Sequence, residues 1–152
     1  MRPIRHLLVD KPVLAVDVGA SALDAARYMS ERVIGAVPVL DQGRLVGMFT
    51  ERDLMSRVVV PGRDVAGVRV GEVMTRDIVI AHPDDLYSTC IASMKQVHCR
   101  HLPVVEGGRL LGTISLRDLL AEGLKEREAE VRFLTDYVQV APPGAERRDR
   151  AG

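Results

Sequence analysis

One stretch of this chain is written twice, and the duplication limits what the chain can fold into. Residues 38–54 read Pro-Val-Leu-Asp-Gln-Gly-Arg-Leu-Val-Gly-Met-Phe-Thr-Glu-Arg-Asp-Leu. Residues 103–119 read Pro-Val-Val-Glu-Gly-Gly-Arg-Leu-Leu-Gly-Thr-Ile-Ser-Leu-Arg-Asp-Leu. The copies lie 65 residues apart without a gap and agree at nine of seventeen positions. Most of the rest exchange like for like: Asp41 with Glu106, Val46 with Leu111, Thr50 with Ser115. This period is longer than the roughly 20–50-residue units of solenoids. It predicts two copies of one small α/β unit. A single unit of that size buries too little to be firmly stable, so the two are expected to share an apolar face.

Composition narrows the function. The formal net charge is zero, without the basic excess of a general nucleic-acid binder. Trp is absent and only 3% of residues are aromatic, so the core must be aliphatic. No apolar run approaches the ~20 residues of a membrane span, and Met1 to Asp10 shows no signal-peptide core. Cys90 and Cys99 make no disulfide framework, which favours a cytoplasmic chain with reduced thiols. No nucleophile, base and orienting group form a legible set, and the reading is non-catalytic.

The order of elements follows from periodicity and turn residues. Residues 1–12 form a lead-in, where Ile4, Leu7 and Leu8 have the spacing of one helical turn. Unit one, 13–58, reads as a strand over Val13–Val18 and a helix from Ser21 to Arg32 with Ala22, Ala25, Ala26 and Met29 inward. A hairpin around Asp41-Gln42-Gly43 follows, then a helix opening at Thr50. Residues 59–71 are the linker. Unit two, 72–122, repeats the order: a strand over Ile78–Ala81, a helix over Asp85–Gln96, strands either side of Glu106-Gly107-Gly108, and a helix opening at Ser115. Residues 123–140 extend that last helix, with Leu120, Leu124, Val131, Leu134 and Val138 at seam-like spacing and Arg127 at the skipped position. Such a helix lies back on its own domain or meets the same helix of a second chain. Residues 141–152 read as a disordered tail.

Each hairpin ends in Gly-x-x-(Thr/Ser)-x-x-Asp: Gly47, Thr50, Asp53 and Gly112, Ser115, Asp118. A structural explanation is a capping box with Asp in the usual Glu place. The same geometry can also hold a nucleotide. Free N–H groups and a hydroxyl at a helix start attract phosphate. A carboxylate one turn in can accept both hydroxyls of a ribose. The glycines would let a ligand approach the backbone, and Arg52 and Arg117 could pair with phosphate. His82, His98, Cys99 and His101 are metal-ligand types. His98 and Cys99 would point to opposite faces of a strand, and no matched second pair exists, so no metal site is expected.

These residues resemble a pair of cystathionine β-synthase (CBS) domains, the tandem called a Bateman module. The matching features are Met29 and Met94, Pro38-Val39 and Pro103-Val104, and the two Gly-Arg-Leu-aliphatic-Gly runs. They continue through Thr50-Glu51-Arg52-Asp53 and Ser115-Leu116-Arg117-Asp118, with Gly71-Glu72-Val73-Met74-Thr75 ahead of the second unit. The resemblance spans about residues 8–122. It implies an α/β (α+β) fold of two β-α-β-β-α units related by a pseudo-twofold, with two clefts between them. It implies AMP, ADP or ATP as ligand, NAD or S-adenosylmethionine in some members, and no required cofactor. Asp53 and Asp118 would hold ribose, and Thr50 and Ser115 phosphate. Adenine would lie on Ala15, Val16, Gly35, Ala36 and Val37 in one unit, and on Ile80, Ala81, Arg100, His101 and Leu102 in the other. The second cleft, with Arg100 and His101, looks the better equipped. The resemblance further implies a homodimer, read here as regulating a protein partner; the balanced charge and the lack of a long apolar run leave neither nucleic acid nor membrane as an expected target. The alternative is a dimerising scaffold with vestigial clefts. A third reading, a regulatory insert like that of IMP dehydrogenase, would have to act in trans.

Overall fold

The computed structural model describes residues 2–139; the expected tail at 141–152 lies outside them. A 3-10 turn over Ile4–Leu8 leads in. The first unit comprises β1 (Val16–Asp17), α1 (Ala22–Arg32), β2 (Ala36–Asp41), β3 (Arg44–Thr50) and α2 (Glu51–Asp53), which continues as a π-helical turn over Leu54–Val59. After α3 (Val70–Val73) the second unit has α4 (Tyr87–Val97), β4 (His101–Glu106), β5 (Arg109–Ser115) and α5 (Leu116–Gln139).

Both hairpins close because their turn residues accept positive φ. Gln42 and Gly43 sit at 49° and 80°, Gly107 and Gly108 at 57° and 77°, the signs a two-residue type I′ turn requires. Each ladder slips once at the same place in the repeat, between Val39 and Leu40 and between Val104 and Val105.

The first strand of each unit is shorter than the sequence suggests. Only Val16–Asp17 pairs, in parallel, with β2, making a three-stranded sheet in order β1-β2-β3. In the second unit the expected strand over Ile78–Ala81 reduces to one parallel bridge, Ala81 to Val104. The earlier residues of both segments have no strand beside them; Leu14, Ile78 and Val79 instead border cavities between the units.

The expected shared apolar face is two cores instead. One gathers Met29, Val37, Val39, Phe49 and Val58 with Val70 and Val73 of α3. The other gathers Cys90, Met94, Leu102, Val104, Ile114 and Leu119 with Ile4. The lead-in therefore completes the distant unit. Ile4 and Arg5 donate backbone N–H bonds to Asp85 and Pro83, and the Arg5 guanidinium bonds Asp84 and Glu106. Ala26 is only half-buried, whereas Ala22, Ala25 and Met29 are inside as expected.

His98 does not sit on a strand. It is the left-handed cap of α4, as Val33 is of α1, with φ 54° in both. α5 does not lie back on its own unit along its length: Leu120, Leu124, Val131, Leu134 and Val138 are all more than half exposed.

Candidate functional site

The two strand-to-helix corners form the same local structure. At the first, Thr50 Oγ1 accepts from the Asp53 N–H (3.1 Å) and Asp53 Oδ2 accepts from the Thr50 N–H (3.0 Å). At the second, Ser115 Oγ accepts from the Asp118 N–H and Asp118 Oδ2 accepts from the Ser115 N–H, both at 3.1 Å. Both are reciprocal capping boxes, which satisfy two N–H groups of the helix start.

Beyond the box the corners differ. Asp53 Oδ1 and Oδ2 also accept from the Thr75 hydroxyl at 3.0 and 3.2 Å, and Arg57 Nε lies 3.7 Å from Oδ1. The Asp53 side chain is 8% exposed. Asp118 has one ion-pair partner among the described residues, Lys11 Nζ at 3.7 Å, and its side chain is 36% exposed.

Two cavities lie between the units. The larger, about 1000 Å³, is bordered by Ser115, Arg117 and Asp118 of the second corner, and by Lys11 and Leu14 ahead of β1. Leu120 and Leu124 of α5 close one side. The smaller, about 720 Å³, is bordered by Thr50 and Arg52 of the first corner and by Thr75 and Asp77. Gly35, Ala36, Glu51, Arg100 and His101 border both. The clefts are therefore not owned by one unit each: the plain Gly35-Ala36 step and the polar Arg100-His101 step serve both.

Of the residues read from sequence, Thr50, Arg52, Ser115, Arg117, Asp118, Gly35, Ala36, Arg100 and His101 border a cavity. Val16, Val37, Ile80, Leu102 and Asp53 border neither, nor do Ala15 and Ala81. Val37 and Leu102 alternate with Ala36 and His101 along their strands and are buried in the cores. Ile80 is half exposed to solvent. Asp53 is turned inward to Thr75. The glycines serve the chain itself. A Cβ on Gly47 would stand 2.6 Å from the Thr75 carbonyl oxygen, and one on Gly112 would stand 3.0 Å from Leu8.

Lys11, Leu14, Glu51 and Thr75 border the cavities without having been read from sequence as site residues. Glu51 sits inside the duplicated stretch, but its counterpart Leu116 is apolar, which hid it. Burial first, and Arg100 next, hold the His101 imidazole below its ordinary range against the opposing pull of Asp118 and Glu51. The ring is therefore neutral near pH 7, suited to packing on a base. Burial also pushes the Cys90 thiol up to about 11 and raises Cys99, so neither is a ready nucleophile. Among the described residues His98 and Cys99 join no metal-ligating cluster; His82, Asp84 and Glu106 converge at the surface, where Arg5 already neutralises both carboxylates.

The family model for the CBS domain matches residues 4–60 and 70–125. The chain belongs to the CBS-domain family. It is 33% identical over 117 residues to a CBS domain-containing protein, YhcV, of Bacillus subtilis, spanning 77% of this chain and 83% of that one. A CBS-domain containing protein from Agrobacterium tumefaciens, ATU1752, superposes with a TM-score of 0.72 at 33% identity, covering 79% of this chain and 98% of that one. The fold is also that of the CBS pair of protein MJ0100, solved with 5′-methylthioadenosine and S-adenosyl-L-methionine. There the TM-score is 0.73 at 22% identity, over 83% and 98% of the two chains. CBS pairs generally bind adenosine ligands and regulate partners, and are typically not catalytic. Among the described residues no helix is long and apolar enough to cross a membrane.

Proposed function

We propose that this CBS pair is a regulatory module that takes an adenine nucleotide, AMP, ADP or ATP, between its units and passes the ligand state to a protein partner. The observation that carries this is the larger cavity. It offers a half-open carboxylate and a hydroxyl at a helix start, a neutral imidazole, and apolar walls from Leu14, Leu120 and Leu124. Lys11, Arg100 and Arg117 supply the positive charge a phosphate needs. Its volume, about 1000 Å³, is at the upper end of common small-molecule sites.

The test is thermal unfolding with AMP, ADP, ATP and NAD. A nucleotide at about 100 times its dissociation constant adds ~2.7 kcal/mol, roughly 5–10 °C for a chain of this size. NAD would be the alternative ligand if it alone shifts the melt. No shift with any of the four at millimolar concentration overturns the proposal. It would leave the second reading, a scaffold with vestigial clefts, for which both completed capping boxes already give each acid a structural use.

The same reading includes a homodimer. Met55 and Val59 on the helix after the first corner, and Leu120 and Leu124 on α5, stand 65 residues apart in pairs, and all four are more than half exposed. Farther along α5, Val131, Leu134 and Val138 continue the stripe. Two equivalent apolar faces on one chain suit a symmetric interface with a second copy. Leu134→Glu is expected to halve the mass seen by light scattering while leaving the melting temperature of the monomer unchanged. A wild type that runs as a monomer at 100 μM or so would remove the dimer from the proposal.

A further inference from the structure

The duplicated stretch offers two acids, and only one of them is free to take a ligand. A carboxylate has about four acceptor positions, and a vicinal diol needs two. Asp53 has given one to the Thr50 N–H, and the single Thr75 hydroxyl proton is shared between its two oxygens, so both oxygens are engaged, with Arg57 beside them, in a nearly closed environment. The Thr75 backbone is held beside the acid. Its N–H and C=O are both bonded to Met48, at 2.8 and 2.9 Å, and Gly47 leaves the space its carbonyl fills. Asp118 has given one position to the Ser115 N–H; Lys11 lies 3.7 Å away and the His101 ring is within its electrostatic reach, but among the described residues no second donor is bonded to it.

The difference traces to one residue. Met74 packs on Gly47 as Leu8 packs on Gly112. The residue after Met74 is Thr75, whose hydroxyl reaches the acid. The residues after Leu8 are Val9 and Asp10, both exposed, and neither carries a hydroxyl. We infer that each chain takes one nucleotide, in the Asp118 cleft, and that Thr75 disables the other cleft by occupying the carboxylate of Asp53. This rests on the nucleotide-binding reading above and adds to it which cleft fills and why. Lys11 is the counter-ion that the arriving ligand displaces from Asp118, and it remains beside the site as a partner for phosphate.

Calorimetric titration of AMP and of ATP into the full chain decides it. The expected stoichiometry is one per chain. Asp118→Asn is expected to weaken binding roughly tenfold or more, the loss of a hydrogen-bonded charge, while Asp53→Asn leaves affinity within about twofold. Thr75→Ala removes the occupying donor, and a second, weaker event is expected to appear. Two equal sites in the wild type, or a single site lost in Asp53→Asn and kept in Asp118→Asn, overturn the inference and leave the nucleotide reading standing. Unchanged stoichiometry in a Thr75→Ala chain with native circular dichroism overturns the role of Thr75. The absence of heat with either nucleotide, together with an unmoved melt, overturns both readings at once.

Discussion

The first and second corners share their capping chemistry, their spacing and most of their sequence, yet one acid is buried and the other borders a cavity. Thr50 and Ser115 cap their helices at equal distances. What differs is what arrives from elsewhere in the chain. The segment after α3 brings a hydroxyl to Asp53; the lead-in brings an ammonium to the edge of Asp118. The lesson is that a repeated motif fixes its own backbone and leaves its availability to its neighbours. The same split runs through the rest of the halves. The first has a third strand and the second a single bridge in its place. The first corner's helix ends in a π-helical turn, whereas the second runs on to Gln139.

The largest test of that comparison is the cost of losing each acid. Asp53→Ala removes a nearly buried cap and leaves the half-buried Thr75 hydroxyl without its acceptor, for about 2 kcal/mol or more in all. Asp118→Ala removes a half-exposed cap and a long contact with Lys11, for about 1 kcal/mol. Urea denaturation of the two variants measures the difference directly. Equal costs would mean that the corners are energetically the same, whatever their surroundings.

A second pair sharpens the comparison at the helix ends. Val33 and His98 hold the same left-handed cap, but a β-branched side chain pays more for positive φ than an imidazole does. Val33→Asn is expected to raise stability by about 1 kcal/mol. His98→Asn is expected to change it by no more than a few tenths. Melting temperatures of the two variants decide it; a Val33→Asn chain that melts no higher than the parent would show that the strain is relieved elsewhere.

The smallest effect is electrostatic. His101 in the folded chain titrates below its unfolded value, so protonation favours the unfolded chain. Its destabilising contribution is absent well above the unfolded value near 6.5 and grows as pH falls through that value toward the lower folded one. His101→Gln is therefore expected to flatten the fall in stability between about pH 7 and pH 5, by less than ~1 kcal/mol. Melting curves at four pH values suffice. An unchanged slope would place the ring in a more open setting than Arg100 and burial imply.

Much of this was legible in the chain itself. The hairpins could be placed because Gly43, Gly107 and Gly108 mark positive φ, and the helices because Met29, Cys90 and Met94 fall on one face. The capping boxes were legible because their partners are three residues apart. The cleft membership of Gly35, Ala36, Arg100 and His101 followed from the family pattern. The short first strands were not legible, since whether Val13 or Ile78 pairs depends on a strand brought from elsewhere. Nor were Lys11 and Thr75, which gain their meaning only when a segment remote in sequence is laid against a corner.

Sequence alone determined the two-unit architecture, because side-chain periodicity, turn chemistry and caps act over a few residues and were written twice. Tertiary structure alone decided that the lead-in completes the far core, that both clefts share one floor, and that Asp118 is open where Asp53 is closed. Those outcomes depend on contacts between segments some 20 to 125 residues apart, and a carboxylate's freedom is set by the donors that reach it in space.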